Sequence, residues 1–99
     1  MSKVKLPRRI TVGRKRFKIE QLPEIKDAEG KTTVMGRVNF GRAHIQVSTK
    51  YPAAEVRNTF WHEITHAILD DMGSDLTNNE RFVTAFANRL SDAIDSAKF

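Results

Sequence analysis

A small α+β domain is what this sequence predicts: an antiparallel sheet of three or four strands, then two packed helices on one face of it. The main observation is a change of period. Apolar residues alternate with polar ones up to Ser48, as in strands lying on a core, and after Tyr51 they recur every three to four residues, as in helices. Turn-forming residues agree, since four of the five glycines precede residue 50. Ninety-nine residues suffice for one hydrophobic core, so residues 1–99 are read as a single domain.

The strands occupy residues 9–48. Arg9–Val12 is short and β-branched, and Gly13 punctuates it. Arg16–Gln21 alternates Phe17 and Ile19 with polar neighbours until Pro23 ends the run. Asp27–Lys31 forms a turn around Gly30. Thr32–Phe40 and Ala43–Ser48 read as two strands joined tightly at Asn39–Arg42, an antiparallel hairpin. A first helix covers residues 52–72. Pro52 suits its opening position, Val56, Phe60, Ile64, Ala67 and Ile68 form its apolar stripe, and Gly73 stops it. A second helix covers residues 78–97, with Phe82, Val83, Phe86, Leu90 and Ile94 as its buried stripe. Thr77-x-x-Glu80 has capping-box spacing at its start.

Composition removes several kinds of function. The chain has no cysteine, which excludes disulfides, thiol catalysis, iron–sulfur clusters and cysteine-built zinc sites. No apolar run has the length of a membrane span, and the basic start MSKVKLPRRITV lacks the apolar stretch of a signal peptide. The cytoplasm is the expected compartment, and no membrane partner is expected. Charge is unevenly divided: residues 1–50 carry thirteen basic and four acidic side chains, residues 51–99 four and eight. A basic front half is compatible with nucleic acid or an acidic protein, but a solvated strand surface explains it equally well, and no aromatic residues interleave as stacking platforms. Nucleic acid is therefore a possible partner and not the favoured one.

The chemistry lies in His62-Glu63-Ile64-Thr65-His66, an H-E-x-x-H sequence in the middle of the first helix. Histidines at i and i+4 project from one face one turn apart and reach a single metal ion, while Glu63 faces a water at the ion's open position. With three His and six Glu in the chain, chance supplies ~0.005 such matches. A catalytic zinc of this type requires a third protein ligand. Glu80, opening the next helix, is the first choice, although its spacing from Thr77 also describes a capping glutamate. Asp70, a turn beyond His66, is the alternative. Glu63 is the candidate general base. His44 and Tyr51 are candidates for contact with substrate, and the strand around Ile45–Val47, as a sheet edge, would hold an extended peptide.

These residues resemble a family. Over Ala43–Leu90 the chain is similar to the small zincin metallopeptidases of the phage and mobile-element ImmA/IrrE group. His44-Ile45-Gln46-Val47 leads into Val56-Arg57-Asn58-Thr59-Phe60-Trp61-His62-Glu63-Ile64-Thr65-His66-Ala67, and Glu80, Val83, Phe86, Ala87 and Leu90 follow the family's E-x-x-A-x-x-F-A-x-x-L helix, with Val for the first Ala. Ser91-Asp92-Ala93 departs from the usual apolar ending of that helix. The resemblance implies a minimal zincin-like fold, a Zn²⁺ cofactor on His62, His66 and Glu80, and hydrolysis of a protein or peptide with Glu63 as base. It also implies a phage origin and so a host cytoplasm. The rival expectation is a non-catalytic, degenerate zincin acting as a basic protein- or nucleic-acid-binding module.

Overall fold

The computed structural model describes residues 4–99; the first three residues of the basic start lie outside the described residues. The fold is α+β. Six strands come first: β1 (Arg9–Val12), β2 (Lys15–Leu22), β3 (Ile25–Lys26), β4 (Thr33–Val34), β5 (Gly36–Asn39) and β6 (His44–Ser48). Helix α1 (Ala53–Asp71), a 3-10 turn (Asp75–Asn78) and helix α2 (Glu80–Ser96) complete the chain. Strands β1, β2, β6 and β5, in that spatial order, form a four-stranded sheet, while β3 and β4 pair as a separate ribbon.

The sheet is mixed, not antiparallel throughout. β1 and β2 form an antiparallel hairpin, and β5 and β6 another, but β6 runs parallel to β2 with Lys18 opposite His44 and Ile19 opposite Ile45. The expected strand Thr32–Phe40 is divided: Thr33–Val34 belongs to the ribbon and Gly36–Asn39 to the main sheet. The ribbon carries the chain past the sheet, so β5 lands at the outer edge and β6 enters between β2 and β5. Burial explains the choice. Ile45 and Val47 are both 0% exposed, and a strand with that apolar side is best covered at the centre of the sheet.

One face of the sheet presents Val12, Phe17, Ile19, Ile45 and Val47 to α1, whose Val56, Phe60, Ile64 and Ala67 complete the core. Each large side chain among these contributes about 1.5–3 kcal/mol by leaving water. On α1 the buried stripe follows expectation except that Leu69 is buried and Ile68 exposed. The helix stops as its sequence requires. Gly73 adopts φ +70°, and the amides of Gly73 and Ser74 return to the carbonyls of Asp70 and Leu69.

Helix α2 differs more from its sequence pattern. Its buried line is Val83, Ala87 and Ser91, whereas Phe86 and Ile94 are exposed and Phe82 stacks on Phe86 with ring centroids 5.8 Å apart. Small residues on this line let α2 approach α1 closely, which turns the larger apolar groups outward. Ser91, polar and 1% exposed, belongs to that close approach.

Candidate metal centre

Helix periodicity places His62 and His66 on one face of α1, with ring centroids 5.0 Å apart. Glu80 reaches both from the first residue of α2: its Oε2 lies 3.1 Å from His62 Nε2, and its Oε1 lies 2.7 Å from His66 Nε2. One potential ligand atom from each of the three residues lies within 4.8 Å of the others. Two imidazole nitrogens and a carboxylate oxygen are a donor set suited to zinc, whose tetrahedral ligand atoms stand about 3.3 Å apart. Asp70, the alternative ligand, is exposed and outside this trio.

Glu80 is free for this role because another residue caps the helix. The N-cap is Asn79, whose Oδ1 accepts from the amide of Phe82 at 3.0 Å. Thr77 sits one step back in the 3-10 turn and orients a histidine instead. Its Oγ1 gives its single hydrogen to the His66 carbonyl oxygen at 3.2 Å, and so acts as acceptor for His66 Nδ1–H at 3.3 Å. That bond keeps a proton on Nδ1, so that Nε2, 2.7 Å from Glu80 Oε1, is the nitrogen that either shares a proton with the carboxylate or is free to bind a metal. We predict that Thr77→Val lowers zinc affinity about 10- to 100-fold, while Thr77→Ser retains it. Competition with a chromophoric chelator measures this, and equal affinity in all three proteins would remove Thr77 from the site.

Glu63 lies between two clefts of about 480 Å³ and 460 Å³ and is the one residue lining both. The first cleft runs past Met35, Gly36, Asn58 and His62, the second past Phe40, His66, Thr77 and Glu80. Burial, reinforced by the nearby Glu80 carboxylate, raises the Glu63 carboxyl to about 8 in the metal-free protein. The same burial lowers His62, opposed by the Glu80 charge and aided by the neighbouring His66. A histidine biased toward its neutral form is the form that binds metal.

Gly36 brings β5 against this part of α1. A Cβ there would sit 2.6 Å from Thr59 Cγ2 and 3.1 Å from Glu63 Oε2. Gly36→Ala is expected to cost about 1–3 kcal/mol by overpacking. Combining it with Thr59→Ser, which removes the obstructing methyl, should recover part of that loss in urea unfolding. An alanine variant as stable as the parent would show that the strand simply moves aside.

The remaining candidate residues are not brought to this centre. Ile45 and Val47 were expected on an exposed edge, but β6 is an interior strand and both side chains are in the core. The edge is β5. His44 lies on the opposite sheet face from the apolar Ile45, with Nε2 3.1 Å from Glu20 Oε1. Tyr51 packs on the core before α1 and lines neither of the clefts beside Glu63. Sequence reasoning missed Gly36 and the orienting part of Thr77. An isolated glycine inside a strand pattern signals close backbone approach and marked the first; nothing local marked the second.

No family model matches the chain, and neither a curated protein nor a solved structure matches it.

Proposed function

We propose that this protein is a zinc-dependent metallopeptidase, of the kind its resemblance to the ImmA/IrrE zincins implies. One observation above all supports the reading. Glu80, from a separate helix, converges on both histidines of the H-E-x-x-H sequence, and the glutamate of that sequence is buried where two clefts meet. His62, His66 and Glu80 would hold the ion, which when bound would supply a water of pKa about 7 and Lewis-acid polarisation of a carbonyl. Glu63 takes the proton from the attacking water and delivers it to the leaving nitrogen. Its side chain, 7% exposed, is held where the two clefts meet. The free side of β5 supplies backbone groups to an extended peptide, which lies across the two clefts by β-augmentation. Proteins or peptides are the substrates, and the compartment is the cytoplasm, that of the host for a phage-encoded chain. No helix among the described residues is long and apolar enough to cross a membrane.

The experiment is hydrolysis of a mixed-sequence peptide library, followed by mass spectrometry. Cleavage should disappear on removal of metal and return with stoichiometric zinc. A library left intact by the zinc-loaded protein would overturn the peptidase reading.

A further inference from the structure

The sheet has a second face, and no helix among the described residues covers it. Pleat alternation assigns it: Ile10, Val12, Phe17 and Ile19 point to the core side, so Arg9, Thr11, Arg16, Lys18 and Glu20 point away, with His44 and Gln46 of β6 beside them. By the same alternation Arg37 of β5, opposite Gln46, belongs to this face; Arg14 and Arg42 stand on the turns at its end, the β1–β2 turn lying so near α1 that a Cβ on Gly13 would meet the Asp71 carboxylate. These two turns adjoin, since Lys18 N bonds to Ala43 O at 2.9 Å and Lys15 Nζ to Phe40 O at 2.8 Å. Arg9, Arg14, Arg16, Lys18 and Arg42 are all exposed. Among the described residues none of the five has a carboxylate at ion-pair distance. The one acid on the face is already engaged, Glu20 Oε1 lying 3.1 Å from His44 Nε2 and accepting from Gln46 Nε2 at 3.2 Å. Arg9, Arg16 and Lys18, three exposed cations of the basic front half, thus share the face of the sheet turned away from α1.

We propose that this face docks on the phosphate backbone of double-stranded nucleic acid, independently of base sequence. Four of the five exposed cations are arginines, whose guanidinium groups bind phosphate oxygens in pairs. The face carries no large exposed apolar side chain: Met35, Ile68, Met72, Leu76, Phe86, Ile94 and Phe99 all belong to other parts of the chain. It therefore lacks the apolar anchors of a protein interface, the wedge that enters a lipid surface and the aromatic platform that stacks single-stranded bases. Among the described residues it offers no helix to enter a groove. Regularly spaced phosphate is the chemistry that remains.

The test is fluorescence anisotropy with a labelled duplex of about 20 base pairs and arbitrary sequence, titrated at salt concentrations from about 50 to 200 mM. The triple variant Arg9→Gln, Arg16→Gln, Lys18→Gln should bind at least about tenfold more weakly, and its log–log salt slope should be shallower by about 3. A control with the same charge change on the other side, Arg81→Gln, Arg89→Gln, Lys98→Gln, should match the parent. Parallel probes are a single strand of the same length and polyglutamate. Equal loss in both triple variants would overturn the proposal as non-specific attraction, and absence of binding at the lowest salt would overturn it outright. Tighter binding of polyglutamate would reassign the face to an acidic protein, and tighter binding of the single strand would reject the duplex.

Discussion

Replacing Glu80 with alanine should lower zinc affinity by more than about 100-fold, beyond the loss typical of a residue that only orients a ligand. The protein should remain folded. Asn79 holds the α2 cap, so the helix start does not depend on the Glu80 carboxylate. In the metal-free protein the substitution removes the attraction of an acid to the helix N-terminus, about 0.3–1 kcal/mol, together with the Glu80 contacts to His62 and His66. Isothermal titration with zinc, alongside circular dichroism, separates the two effects. Unchanged affinity would assign Glu80 to the helix alone, and Asp70→Ala would then be the next variant to titrate. The comparison distinguishes the two roles that Thr77-x-x-Glu80 allowed, ligand and cap, because the cap is now assigned to another residue.

Replacing Glu63 with glutamine should leave zinc stoichiometry intact and lower hydrolysis about 10²- to 10⁴-fold, the usual contribution of a general base. The side chains are nearly isosteric, so the buried site is retained. A second readout needs no substrate. In the metal-free folded protein Glu63 is raised from its usual 4.5 to about 8. Between those values the folded state keeps a proton that the unfolded chain releases, so this group's contribution to stability is full below pH ~4.5 and declines as pH rises toward ~8. Thermal melts of apo protein across that range should show a decline in the parent that is flattened in Glu63→Gln. Identical profiles would mean that the carboxyl is not buried as described, and undiminished hydrolysis in the variant would exclude Glu63 as the base.

Much of the candidate site was legible because its first two proposed ligands are local. His62 and His66 are related by helix periodicity alone, so recognising the helix suffices to place both rings on one face. Glu80 was only half legible. Its role turned on whether α2 is capped at Thr77 or Asn79, a matter of two residues that side-chain periodicity does not resolve. Thr77 was illegible as an orienting group because its bond to His66 depends on how the 3-10 turn folds back. In the sheet, the strands were visible and their order was not. Alternation marks which side of β6 is apolar, but the apolar side of an edge strand and of a central strand can look the same in sequence. The crossing of the β3–β4 ribbon decided between them. Helix α2 shows the converse. Phe86 and Ile94 have the spacing of a buried stripe, yet the smaller Ala87 and Ser91 occupy the contact, because close packing selects for fit as well as hydrophobicity.

The proposed chemistry depends on a metal ion held by His62, His66 and Glu80, and the direct measurement is zinc per chain, by elemental analysis of protein purified without a metal-affinity tag. About one zinc per chain is predicted, retained through dialysis and released as acid protonates the two histidines. Protein that emerges without zinc and takes up none when zinc is supplied would contradict the account, and with it the peptidase chemistry proposed for Glu63.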